Sequence, residues 1–285
     1  MRPGNRVFSG SLVGVSFVGA LDAYNVVLAV SSARRLLTSY TGSIARIRST
    51  GAGTPELDFG YDAAGMIDTA GIASFLGVDS GVFRYLYDQK GTNHFGQSSA
   101  ASQPAYNATG LNSRPTAQFD GSNDGMKTVG NISAQSTWWG YVVSKPLATG
   151  SGPELWAIVS YPDTAVSYRL WERNPASSGA TEIYYNNSGG LSSSIAYPNN
   201  TAVAHVLKGS VSSRYAKGSN GVSISDGNNN TIIGGYPSTI GYRNDSSAYF
   251  NGHICEVVLG SGTLTSQQET DLFTQLNAFW GTPIP

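Results

Sequence analysis

Between residues 44 and 259 the chain breaks into eleven short apolar or alternating runs, each bounded by Gly, Asn, Asp, Ser or Pro. They fall at 44–48, 82–87, 116–120, 138–144, 155–160, 166–172, 181–185, 202–208, 213–217, 222–225 and 249–259. Runs of this length are strands, because successive strand residues face opposite sides and a half-buried sheet needs alternation. So many short strands with turn residues between them define an all-β body of two packed sheets, a jelly-roll sandwich. The 35 Gly serve the turns, and 16 Tyr, 10 Phe and 5 Trp suit pleated, half-buried faces. At 285 residues the body fits one unit. The expected division is an N-terminal strand or arm over 1–20 and a single domain over 21–285.

Two helices are expected around this body. The first covers 23–40, where Val26, Val27, Val30, Ala33, Leu36 and Leu37 recur at helical spacing. The second is C-terminal: Thr265 and Gln268 form a capping box, Leu272, Phe273, Leu276, Phe279 and Trp280 make an apolar stripe, and Gly281 and Pro283 stop it. DTAGIASFLG, at 68–77, reads as a short third helix.

Only 12% of residues are charged and the formal net charge is −1, so no electrostatic footprint for nucleic acid or an anionic membrane is present. The N-terminal run is interrupted by Gly10, Gly14 and Gly19, and no stretch approaches the ~20 apolar residues of a transmembrane helix. One cysteine, Cys255 in HICEVVL, excludes an internal disulfide and reads as a small buried hydrophobe.

His94, His205 and His253 are too scattered for a zinc cluster, and no motif implies a cofactor. FDGSND, at 119–124, offers Asp120, Asn123 and Asp124 to a calcium ion or to an Asx turn; without the long acidic loop of an EF-hand, the turn is favoured. No nucleophile elbow or phosphate loop is present. Glycoside hydrolysis needs two carboxyl groups about a sugar. Asp88, Glu154, Asp163, Asp245 and Glu256 lie on or near strands, and strict alternation would turn Glu256 away from Cys255, toward solvent. A glycan would stack on aromatic rings, for which Trp138, Trp139, Trp156, Trp171, Tyr184 and Tyr185 are candidates; alternation in WWGYVV sends one of Trp138 and Trp139 inward and the other outward or toward a second layer.

ARRLLTSYTGSIARIRST (33–50), FLGVDSGVFRYLYDQKGTNHFGQSSAASQP (75–104) and RPTAQFDGSNDGM (114–126) together resemble the β-sandwich catalytic domain of the α-L-arabinofuranosidase B family. Residues 240–281 are similar to the closing strands and terminal helix of laminin-G-like, concanavalin A-like jelly rolls. Such domains recur in tail, fibre and other surface proteins of bacteriophages. The resemblance implies that Tyr87, Asp88, Gln89 and His94, with Asp120, Asn123 and Asp124, form a hydrogen-bonded structural network. For a retaining arabinofuranosidase-like enzyme it leaves Asp163 nearest the nucleophile's place and Asp245, in YRNDSS, as the best match to the acid/base. The disulfides of the secreted enzymes cannot form with one Cys. From this follows the expectation of a non-enzymatic bacteriophage virion surface protein, of capsid-decorating, head-fibre or tail-fibre type, present in multiple copies among other virion proteins and binding host glycans. The alternatives are a secreted glycoside hydrolase acting on α-L-arabinofuranosides and a purely structural docking module.

Overall fold

The computed structural model describes residues 17–147, 155–161, 168–173, 180–186, 197–198, 200–227, 231–232, 234–242 and 249–283, with the backbone alone over 155–198. The strands, in chain order, are β1 (Val26–Ser31), β2 (Ala45–Ser49), β3 (Glu56–Phe59), β4 (Gly81–Leu86), β5 (Phe95–Gly96), β6 (Ala105–Leu111), β7 (Arg114–Asp120), β8 (Met126–Thr128) and β9 (Trp138–Pro146). They continue as β10 (Leu155–Tyr161), β11 (Tyr168–Arg173), β12 (Ala180–Asn186), β13 (Tyr197–Pro198), β14 (Val203–Ser210), β15 (Ser213–Gly218), β16 (Ser223–Asp226), β17 (Thr239–Ile240) and β18 (Asn251–Ser261). Helices α1 (Thr69–Leu76) and α2 (Ser266–Trp280) complete the set.

All strand pairings are antiparallel, and they form two layers. In sheet one, β18 pairs along its length with β9, while its other edge meets β7 first and β1 afterwards. Beyond β9 follow β14, β15 and β16. Sheet two runs β3–β2–β4–β5–β8–β17–β10–β11–β12–β13. The β6–β7 hairpin joins them, since β6 pairs with β4 and β7 with β18.

Strands β1, β9, β14 and β18 of sheet one are buried on both faces, which explains their nearly continuous apolar runs. In β9, Trp138 and Val142 face the core between the sheets, while Trp139, Tyr141 and Val143 face a second core beneath α2. Helix α2 fills that second core with Leu272, Phe273, Leu276 and Trp280. Its start is fixed by Thr265, which accepts from the Gln268 amide at 3.2 Å while Gln268 Oε1 accepts from the Thr265 amide at 2.9 Å. Gly281, at φ +70°, ends it in the left-handed conformation.

The all-β sandwich and the C-terminal helix are as the sequence implies; the helix over 23–40 is not. That segment contains β1 followed by an irregular strap. Leu28 and Val30 enter the inter-sheet core and Val26 and Ala29 the α2 core, so a strand covered on both sides carries apolar residues at helical spacing by coincidence. The helix in the N-terminal third is α1, capped by Asp68, whose carboxylate accepts from the Gly71 amide at 2.8 Å. Among the described residues no helix is long and apolar enough to cross a membrane.

Candidate functional site

Sheet two turns one face to the core and the other outward. The β2–β3 hairpin pairs Arg46 with Asp58, and Arg46 grips that carboxylate with two hydrogen bonds, Nε–Oδ1 at 2.8 Å and Nη2–Oδ2 at 2.7 Å. Tyr87 donates its hydroxyl to Asp58 Oδ1 at 2.6 Å. The Arg46 fork, aided by this hydroxyl, holds Asp58 below the usual carboxylate range against the cost of its partial burial. Burial, reinforced by the Asp58 hydrogen bond, pushes the Tyr87 phenol up. The His94 ring meets Tyr87 edge-on at 4.9 Å, and its Nδ1 accepts the Asp88 amide at 3.0 Å, which leaves the ring proton on Nε2. Burial depresses the His94 pKa, so the imidazole is neutral. Tyr85 stacks beside Tyr87 with centroids 5.9 Å apart. Its ring covers Gly96, where a Cβ would lie 2.5 Å from a ring carbon.

Directly behind this row, Asp88 and Gln89 fasten sheet two to sheet one. Asp88 is fully buried; Oδ1 accepts the amides of Ala29 at 3.1 Å and Lys90 at 3.0 Å, and Oδ2 that of Asn93 at 3.2 Å. Gln89 accepts the Leu36 amide at 2.6 Å and donates to the Arg34 carbonyl at 2.9 Å. These bonds hold β1 and its strap against the end of β4, so the segment organises backbone rather than facing a ligand.

In the β7–β8 turn, Asp120 Oδ1 accepts the amides of Ser122 at 2.7 Å and Asn123 at 3.1 Å, an Asx turn; the Asn123 side chain is exposed. Asp124 is 6% exposed and its Oδ2 accepts the Asp120 amide at 3.0 Å. Burial, with the Asp120 charge beside it, raises Asp124 to about 7. The next residue, Gly125, lies against the Tyr242 ring, and Tyr242 and Tyr249 stack at 6.3 Å across 243–248. Among the described residues no three His, Cys, Asp or Glu side chains converge as a metal site would require.

Asp163 and Asp245 fall in 162–167 and 243–248, outside the described residues. The strand ends beside them are described. In the antiparallel pair of β10 with β17, Val159 opposes Ile240 and Ser160 opposes Thr239. Tyr161, before Asp163, therefore leaves at one end, while Tyr242, before Asp245, leaves toward the other, where β10 begins. Trp138 and Trp139 are each 1% exposed, one in each core, so neither offers a ring face to a sugar. Trp171 pairs with Tyr184, and Leu170 with Tyr185, in the β11–β12 register; their side chains, and that of Trp156, lie outside the description.

A buried polar cluster lies on the opposite side of sheet one. Arg34 meets Glu256 through Nε–Oε1 at 2.5 Å and Nη2–Oε2 at 3.0 Å; Tyr141 donates to Oε2 at 3.0 Å and Ser31 to Oε1 at 3.3 Å. The Arg34 guanidinium lies 4.0 Å from the Phe279 ring centroid. Glu256 is 1% exposed, which corrects its expected solvent position. The cause is a β-bulge: Ile254 opposes Ser144 and Glu256 opposes Val143, so Cys255 is an extra residue and Glu256 stays on the α2 side with it. No sequence signal marks a bulge inside an unbroken apolar strand. The Arg46–Asp58 pair, by contrast, had one, the facing charges of ARIRS and ELDF.

No protein-family model and no curated protein sequence matches the chain. Solved structures do. A variant of a GH54 α-L-arabinofuranosidase soaked with 4-nitrophenyl α-L-arabinofuranoside matches with a TM-score of 0.71 at 17% identity, over 90% of this chain and 63% of that one. An arabinofuranosidase complexed with arabinofuranosyl-α-1,2-xylobiose matches with a TM-score of 0.72 at 16% identity, over the same shares. The chain thus spans just under two thirds of the length of these neighbours, and what it shares with them is the two-sheet sandwich fold. These matches overturn the expectation of a non-enzymatic bacteriophage virion protein: the fold followed over 90% of this chain is that of solved arabinofuranosidases.

Proposed function

We propose that the chain is a glycoside hydrolase acting on α-L-arabinofuranosides. The observation that carries this is the match of 90% of the chain to arabinofuranosidase structures caught with an arabinofuranoside. A near-neutral chain suits a neutral sugar substrate. Hydrolysis requires two carboxyl groups flanking the glycosidic bond, one protonating the leaving oxygen and the other attacking the anomeric carbon or activating water. Leu155, which follows Glu154 in sequence, stands toward the same end of the β10–β17 pair as Tyr242, which precedes the segment of Asp245, and we take Glu154 and Asp245 as the carboxyl pair to test first. Asp124, next to the Gly125–Tyr242 contact, adds a carboxyl protonated near neutral pH on the flank of the same segment.

The test is nitrophenolate release from 4-nitrophenyl α-L-arabinofuranoside. The wild-type chain is expected to release it, and Glu154→Gln and Asp245→Asn each to lower kcat by about 10²–10⁴-fold, the range of a lost general acid or base. Asp163→Asn is expected to leave the rate near wild type. Wild-type protein that releases no more than the buffer refutes the reading.

A further inference from the structure

Helix α2 begins at Ser266, and the hairpin end of β14 and β15, with the adjoining end of β16, carries exposed residues at Ser213 and Ser225. A cavity of about 380 Å³ opens there, within the size range of small-ligand pockets. Its position follows from register. Lys208 opposes Tyr215 and Tyr215 opposes Ser225, while Ser210 opposes Ser213, so all five side chains stand on the α2 side of sheet one. Thr263, in the link to α2, supplies a further hydroxyl from the rim.

The chemistry of this wall is specific. Glu269, 5% exposed, accepts from Lys208 at 2.5 Å and from the Tyr215 hydroxyl at 3.0 Å, with Lys217 at 3.4 Å. Lys208 and the Tyr215 hydroxyl are thus both engaged by Glu269. The remaining hydroxyl-bearing residues, Thr137, Ser210, Ser213, Ser225 and Thr263, make up half of the lining, beside Gly209, Trp138 and Leu264; Ser210 and Ser213 meet at 2.8 Å, with capacity for further bonds. Such hydroxyls both donate and accept and carry no net charge. Their complement is a ligand that also presents hydroxyls in both roles, which describes a sugar unit.

We propose that this cavity is a second carbohydrate-binding site, which holds a neutral sugar unit of a polysaccharide while hydrolysis proceeds at the β10–β17 end of sheet two. It rests on the hydrolase reading for the sugar class but not for its own chemistry. The cavity lies on the α2 face of sheet one, whereas the aromatic and ionic row of Arg46, Asp58, Tyr85 and Tyr87 lies on the outer face of sheet two. A polymer held in the cavity raises the effective concentration of its chain ends at the proposed hydrolytic site.

The experiment is affinity electrophoresis of the full chain in native gels containing soluble arabinoxylan, beside nitrophenolate release from 4-nitrophenyl α-L-arabinofuranoside. Ser225→Trp and Thr263→Trp fill the cavity from exposed positions that hold no other contact described above. Wild-type protein is expected to be retarded by the polymer, and both variants to need about tenfold more polymer for equal retardation, with the rate on the small substrate unchanged. Equal retardation of wild type and both variants would overturn the second site, as would a wild-type protein that hydrolyses the small substrate but is not retarded. Retardation lost in the variants without any hydrolysis in the wild type would keep the site and discard the hydrolase.

Discussion

Removing one partner of the Arg34–Glu256 pair should destabilise the protein more than removing both. Glu256 is 1% exposed and Arg34 9%, and the guanidinium meets both carboxylate oxygens. The opposing charge and hydrogen bonds of Glu256 outweigh the burial that would lower the Arg34 pKa, and raise it. Arg34→Met leaves a buried carboxylate answered by the Tyr141 and Ser31 hydroxyls, at a cost of about 3–5 kcal/mol. A chain of this length unfolds with an entropy of about 0.6 kcal/mol/K, so Tm should fall by about 5–8 °C. Adding Glu256→Leu removes the stranded charge, leaving two hydroxyls without their acceptor at about 1–2 kcal/mol each. The double variant should therefore melt above Arg34→Met alone, in a calorimetric double-mutant cycle with the four proteins side by side. A single-variant shift below about 2 °C, or a double variant whose loss equals the sum of the singles, would refute this reasoning.

Three further outcomes follow from the same contacts. Burial depresses His205 to about 3, and burial with Lys145 nearby depresses His253 to about 4. Both are neutral in the fold, so the unfolded chain takes up protons first as pH falls below ~6.5 and stability drops by about 1.4 kcal/mol per unit per histidine. Asp124, raised to about 7, works in the opposite sense between pH 7 and 4. The measurement is therefore a difference: in urea titrations from pH 6 to 4.5, His205→Gln should show a slope shallower than wild type by about 1.4 kcal/mol per unit, and an unchanged slope refutes it. Asp88→Asn sets an amide nitrogen against a backbone amide that Asp88 now accepts and should cost about 2–3 kcal/mol by urea midpoint; a loss under ~1 kcal/mol would show that these bonds do not hold the layers. Gly260→Ala would place a Cβ 2.1 Å from the Trp139 ring, so it should cost about 1–3 kcal/mol and shift tryptophan emission, and wild-type emission with wild-type stability would contradict that.

Elements defined by local chemistry were readable in the sequence. The capping box at Thr265 and Gln268, the αL stop at Gly281 and the stripe of α2 all depend on residues within one or two turns. Strand runs such as 138–144 and 249–259 were readable because each is a short apolar stretch between turn residues. Failure came where tertiary cover changed the meaning of a pattern. Val26, Val27 and Val30 are β-branched and favour a strand, but the apolar residues at i and i+4 came from burial on two faces and imitated a helix. Alternation failed at Glu256 for a different reason: one extra residue at Cys255 shifts the phase of everything before it, and no side chain announces it.

The same distinction separates the parts of the candidate site. The outward residues of sheet two follow from the period of two, which places Arg46, Arg48 and Asp58 on the side away from Ile47 and Phe59. Which outward groups meet is a matter of register, and register is non-local: Tyr87 reaches Asp58 across twenty-nine residues, over a strand that neither belongs to. Carboxylates obey the same rule. Asp163 and Asp245 each follow a strand, and on the linear sequence that makes them equal candidates. The antiparallel opposition of Ser160 to Thr239 breaks the equality, because residues that follow two paired antiparallel strands depart from opposite ends, whereas one that precedes β10 and one that follows β17 depart from the same end. Leu155 and Tyr242, the described residues nearest Glu154 and Asp245 in sequence, therefore stand toward one end of the strand pair, and the pH–rate profile of Glu154→Gln tests the proposed role: if Glu154 is one of the two ionising groups, one limb of the wild-type bell disappears, and if it is not, both limbs remain.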